Sequence, residues 1–353
     1  VADLTVSGDL GLARISVDGT VRYTGLTLGD VVVTTNTVVG DFGLTGDLEI
    51  DYLGYNSAAA TYDRLDWNSA VDFEGDGEFE TLDPGAILTD PVDLSIDFES
   101  GLHFVVRGSV TGTGDEEELL VAGPVSIRGT AEFALSRWTL DVDTDGNGST
   151  DLVDAELDTI ALSSSGMGVV VDGVADLTVS GDLGLARISV DSTVRYTGLK
   201  LGNVVVSTKL VAGDFGLTGD LKVDSLDYND AADGVDRLDW NSAVDFDGDG
   251  AFEALNPGSL LTDSADLLID FESGLQFEVR GSVVGTGSYT TTKFATDQNV
   301  TYSEVLLRAG PVVLNGSAQF ALSRWTLDVD VNGDGAITGD DLSGAQLDMI
   351  ALS

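Results

Sequence analysis

The chain has 353 residues, of which 61 are Asp or Glu and only 16 are Lys or Arg, giving a formal net charge of −45. Such a surface repels nucleic acid and anionic membranes and attracts cations; with no cysteine, disulfide staples and thiolate metal sites are excluded. A 42% hydrophobic content sets the chain apart from acidic disordered sequences, and no run of about 18 apolar residues is present to insert into a membrane as a helix.

Asp outnumbers Glu by about three to one, and 44 glycines accompany frequent Val and Thr, a mixture that suits strands and turns. In chain order, an apolar–x–apolar–x–Gly–x–apolar pattern appears at Leu4–Leu12, Leu44–Ile50, Phe104–Val110 and Val125–Phe133. It returns at Leu177–Leu185, Leu217–Val223, Phe277–Val283 and Val312–Phe320. Alternation of period two gives a sheet with one buried and one wet face. The glycine inside each run marks a bulge or a close approach of another backbone. Between the two sets, Gly168–Asp172 (GVVVD) reads as a strand that completes the sheet of a neighbouring repeat.

The two sets are copies. Val1–Asp18 recurs unchanged as Val174–Asp191, Arg64–Phe73 as Arg237–Phe246, and Phe133–Asp143 as Phe320–Asp330. Copy two carries a longer loop, Ser288–Arg308, where copy one has Asp115–Val121. The division is residues 1–163 for copy one, 164–173 for a connecting strand and 174–353 for copy two. Ile350–Ser353 matches Ile160–Ser163, where copy one runs on into copy two, so further copies in a parent protein are expected. The fold class is all-β: tandem antiparallel β-sandwich-like repeats, or alternatively a β-helix or other solenoid, with inserted calcium loops.

Four segments follow an Asp-x-Asp/Asn-x-Asp-Gly pattern, with further oxygen donors at positions nine and twelve. The first offers Asp72, Glu74, Asp76, Glu80 and Asp83, and the second Asp143, Asp145, Asn147, Asp151 and Asp154. The third offers Asp245, Asp247, Asp249, Glu253 and Asn256, and the fourth Asp330, Asn332, Asp334 and Asp341. Ca2+ takes six to eight oxygens, and side chains at positions one, three and five converge when the loop curls. Glycine at position six permits the sharp turn. Oxygen donors without cysteine favour calcium over zinc or copper. Trp67, Trp138, Trp240 and Trp325 each precede position one by five residues, so a tryptophan-bearing strand is expected to feed each loop, with the indole as a core anchor.

These loops resemble those of dockerins and of EF-hand-like sites in secreted bacterial proteins. The resemblance covers about twelve residues per loop and implies an ion site; it does not extend to cohesin binding, because the loops of one copy lie far apart and no helix pair follows. The long repeats more loosely resemble large secreted calcium-dependent adhesins and surface-layer or matrix proteins. The function this implies is a calcium-stabilised structural or adhesive segment, extracellular or at the cell surface. Its partners would be further copies of the repeat and, in a lectin-like alternative, glycans or other cell-surface components. A halophile's hydrated acidic surface is compatible with either. No enzyme is expected: the single histidine, His103, is matched by Gln276 in copy two, and no nucleophile–base set recurs.

Overall fold

In a computed structural model, residues 2–39, 42–73, 76–172, 175–212, 215–245, 251–293, 298–331, 335–338 and 341–353 are described. Copy one contributes β1 (Ala2–Val17), β2 (Thr20–Val39), β3 (Phe42–Ala58), β4 (Leu102–Gly112), β5 (Glu118–Ala122), β6 (Val125–Arg128), β7 (Thr130–Val142) and β8 (Leu152–Val171). Copy two contributes β9 (Ala175–Val190), β10 (Thr193–Ala212), β11 (Phe215–Ala231), the two-residue β12 (Val244–Asp245), β13 (Leu275–Gly285), β14 (Gly287–Lys293), β15 (Gln298–Ala309), β16 (Val312–Asn315), β17 (Ser317–Val329) and β18 (Leu342–Leu352). The all-β, antiparallel expectation holds.

The strands form one sheet. From β1 the ladder passes to β2 and β3, then divides between β4–β7 and the shorter β5–β6 pair, which both lead to β8. It then crosses into copy two through β8–β9 and proceeds through β10 and β11 to β13–β17 and β18. Residues 164–171 of the connecting segment are therefore strand and no loose linker. Gly168–Val171 ends β8, paired to β6 on one side and to β9 on the other. The copies are not separately closed sandwiches, because the last long strand of one is hydrogen-bonded to the first of the next.

The second layer is the irregular stretch between β3 and β4, and its counterpart between β11 and β13. Trp67, Ile96, Phe98 and Leu102 form a core with Ala13, Ile15 and Tyr23 of the first strands. Trp240, Ile269, Phe271 and Leu275 repeat that core, but here it extends onto Leu140, Val142, Ala155 and Leu157 of copy one. Gly25 and Gly198 make room for it. A Cβ on Gly25 would meet Ile96 Cγ2 at 2.6 Å and the Trp67 ring at 3.1 Å, and Gly198 faces Ile269 and Trp240 in the same way.

The tryptophans correct one expectation. Trp138 and Trp325 lie in strands β7 and β17, whereas Trp67 and Trp240 open short 3-10 turns, Trp67–Ser69 and Trp240–Ser242. Asp66 and Asp239 cap those turns by accepting from Asn68 N and Asn241 N, so the local hydrogen bonding favours a turn over an extended strand. The Trp67 indole donates to Asn56 Oδ1 at 3.0 Å, and Asn56 Nδ2 donates to Leu65 O and Glu99 O. Trp240 and Asn229 repeat this arrangement. Each buried polar atom in the pair is satisfied, which fixes the irregular layer on the sheet.

Candidate metal centres

The described loops curl around their first carboxylate. Asp72, Asp143 and Asp330 each accept from the glycine N–H at position six, from Gly77 at 3.0 Å, Gly148 at 2.6 Å and Gly335 at 2.8 Å. Those glycines have φ of +90°, +80° and +84°, the left-handed region in which a side chain is strained. Asp143 also accepts from Asp145 N and Gly146 N, which explains how a carboxylate only 2% exposed is tolerated.

Two acidic groups converge. One carboxylate oxygen each from Asp72, Asp76 and Glu80 lie within 4.8 Å of one another, and so do oxygens of Asp143, Asp145 and Asp151. That separation is about twice a calcium–oxygen bond, so one ion can touch all three. The closing residue of each group is held in place. Glu80 Oε2 accepts from Phe73 N and Asp151 Oδ2 from Thr144 N, both from position nine to position two. The Thr144 hydroxyl, followed by its N–H, holds the Asp151 carboxyl below the usual carboxylate range and so keeps it anionic.

Three of the four expected donors at position twelve, Asp83, Asp154 and Asn256, lie elsewhere. Asp83 Oδ1 accepts from Gly85 N and Leu94 N, and Asn256 Oδ1 accepts from Gly258 N and Leu267 N, each capping a 3-10 turn. Asp154 stands at φ +55° with its N–H on Asp141 Oδ1; its counterpart is Gly344, at φ +64° with its N–H on Asp328 Oδ1. The position thus demands a left-handed backbone rather than a carboxylate. Asp341 directly precedes β18 as Asp151 precedes β8, and it accepts from Val331 N at 2.9 Å. It is therefore the equivalent of Asp151. The physical reason is the exit path: the second loop returns into β8 with Asp151 N on Val142 O, and the first returns through a backbone pairing of Glu80 N with Val71 O. In these two loops the closing carboxylate consequently falls at position nine, whereas the fourth loop is three residues longer before its strand and its matching Asp341 falls at position twelve. Glu74, Asp247, Asp249, Asn332 and Asp334 lie outside the described residues, and Asn147 is on the second loop with its N–H on Asp145 Oδ1.

One relation was invisible in the sequence. The second loop of copy one and the first loop of copy two meet at the copy boundary, because β12 pairs with the end of β7 in the register Val244↔Val142 and Asp245↔Asp141. Asp143 N also donates to Ala243 O at 3.0 Å, and Glu253 N to Val244 O. The entries to two loops that lie far apart in the sequence of each copy thus become neighbours between copies.

Comparison with protein-family models, curated proteins and solved structures gives no significant match. The functional reading therefore rests on geometry and chemistry. His103 is half-buried, with Nε2 2.7 Å from Thr139 Oγ1, and burial, then Arg64 and Arg137, lowers its pKa to about 4. Thr139 also accepts from Arg64 Nη2, and in copy two Arg237 makes the matching bond to Thr326 without any histidine.

Proposed function

We propose that this chain is an extracellular, calcium-stabilised structural or adhesive repeat segment of a larger surface, filament or matrix protein. The observation that carries the reading is the convergence of three carboxylate oxygens within 4.8 Å in each of two loops, from positions one, five and nine of the first and one, three and nine of the second. The donors are hard oxygens, and the only imidazole lies elsewhere, at His103. Without a cation each group concentrates like charges where the chain must turn; a bound ion replaces that repulsion with a closed shell and fixes the strands on either side. The Asp143 and Asp245 loops adjoin at the copy boundary, so ions there would brace one repeat against the next. Sites of this kind in extracellular modules work at millimolar calcium.

Calcium-dependent glycan binding is the less supported reading, because Trp67 and Trp240 are fully buried and offer no stacking face. The test is thermal unfolding of the full chain in millimolar calcium, in chelator, and in chelator with monovalent salt. An ion present at about ten times its Kd stabilises by about 1.4 kcal/mol per site. Chelation should therefore lower Tm markedly, and monovalent salt should not restore it. Equal Tm values in calcium and chelator would refute the proposal.

A further inference from the structure

The boundary between the copies is a built interface, and among the described residues both of the surfaces that meet there recur, exposed, on β1 and on β17–β18. At the boundary β8 pairs with β9 in the register Leu157↔Ile188, Ile160↔Leu185 and Leu162↔Leu183. Above that ladder, Leu260 and Leu261 of copy two pack on Ala134 and Ala161 of copy one. Two polar contacts finish the seam: Thr262 Oγ1 donates to Asp51 Oδ2 at 2.6 Å, and Asp263 N to Glu132 Oε2 at 3.2 Å.

Each half recurs. β1 has the same sequence as β9, and β18 repeats the first part of β8. Among the described residues β1 pairs only with β2, and β18 only with β17. Leu261 is 3% exposed, but its counterpart Leu88 is 48% exposed; Leu157 is fully buried, but its counterpart Leu347 is 41% exposed. Ala321 and Ala351, the counterparts of Ala134 and Ala161, line an open pocket of about 320 Å³ together with Asp224 and Gln319. Those last two stand where Asp51 and Glu132 stand in copy one. The pocket is the seat that Leu261 fills at the internal boundary.

We infer that a second copy of this chain docks head to tail, its β1 edge on the β18 edge of the first, in the register of β8 on β9. Leu347 then faces Ile15, Ile350 faces Leu12, and Leu352 faces Leu10 of the second copy. Leu88 of that copy enters the pocket between Ala321 and Ala351, and its Thr89 reaches Asp224. The same placement sets Val71 beside Val329, so the Asp72 loop of one molecule adjoins the Asp330 loop of the other as the Asp245 and Asp143 loops adjoin within the chain. The inference deepens the reading of the chain as a structural repeat, but its contacts are apolar and backbone contacts that need no ion.

Single-cysteine variants test the register, since the chain has no cysteine of its own. Residues opposed across an antiparallel ladder have Cα atoms about 4.5–5.5 Å apart, within disulfide reach. A mixture of full-length Leu10→Cys and Leu352→Cys chains should form a mixed disulfide dimer under mild oxidation, faster than Leu4→Cys with Leu352→Cys. In sedimentation of cysteine-free chains, Leu88→Asp should weaken self-association at least tenfold while lowering the Tm of dilute protein only slightly. Mixed dimers forming no faster than with the Leu4 control, preferred Leu10–Leu10 dimers, or a chain that stays monomeric up to about 1 mM would each overturn the inference. Repeating the cross-linking in chelator separates the two proposals: dimers of the stated register beside a calcium-independent Tm would uphold the docking and reject the calcium reading.

Discussion

Replacing Leu261 by alanine deletes an isopropyl group from a seat formed by Ala134, Ala161 and Leu267. At ~0.8 kcal/mol per buried methylene-sized group, the lost transfer energy is about 2 kcal/mol. Two of the neighbours are alanines on strands already fixed in their ladders, so the seat cannot collapse, and the residual cavity adds about 1 kcal/mol. The expected loss is about 3 kcal/mol. Leu88→Ala makes the same chemical change at a half-wet site with no cavity to leave behind and should cost about 1 kcal/mol or less. Urea unfolding at low protein concentration, read as midpoint shifts at a common m-value, measures both. Equal losses for the two variants would refute the claim that copy two's irregular layer is anchored on copy one.

Asp83→Asn should leave both stability and calcium response unchanged, because Asn256 already does that capping task in copy two; Asp83→Ala should cost about 1 kcal/mol, still without altering the calcium response, as urea midpoints with and without chelator would show. Trp240→Phe removes the donor to buried Asn229 Oδ1 and should destabilise by about 1–3 kcal/mol through the unpaired acceptor, measured by the same unfolding. His103→Gln reports on pH. The folded pKa is depressed to about 4, so the unfolded chain takes up a proton first, near pH 6.5. The histidine's contribution is then complete above pH 6.5 and is lost as pH falls towards 4. Allowing for a half-exposed ring, about 1–2 kcal/mol should separate the two proteins' pH profiles, and superimposable urea midpoints from pH 7 to 4.5 would refute the assignment.

The alternation of residues such as Leu4–Leu12 and Phe104–Val110 was enough to predict antiparallel strands, and the tandem identity of Val1–Asp18 with Val174–Asp191 was enough to predict two like copies. That one sheet runs through both was only half legible. GVVVD reads as a strand, but nothing local shows that it is shared between β6 and β9. The converging carboxylates were legible at positions one, five and nine of the first loop and one, three and nine of the second, and the glycine at position six by its backbone demand. Position twelve misled at Asp83, Asp154 and Asn256 but not at Asp341, because the point of exit is set by backbone pairing such as Asp151 N with Val142 O, a tertiary contact. Asn56 and Asn229 went unnoticed as well. An asparagine in a strand carries no signal of its own, although its recurrence in step with the tryptophan eleven residues later offered one.

A single antiparallel sheet shared by both copies has a mechanical consequence. Its first and last strands form opposite rims, so tension applied at those rims acts across the strands rather than along them. Hydrogen bonds are then loaded a few at a time and the sheet peels from its edge, as a zip does. At the copy boundary the peel front must also lift Leu260 and Leu261 off their alanines and part the β12–β7 bridge, so resistance should rise in a step there, making the junction a rip-stop between otherwise yielding panels.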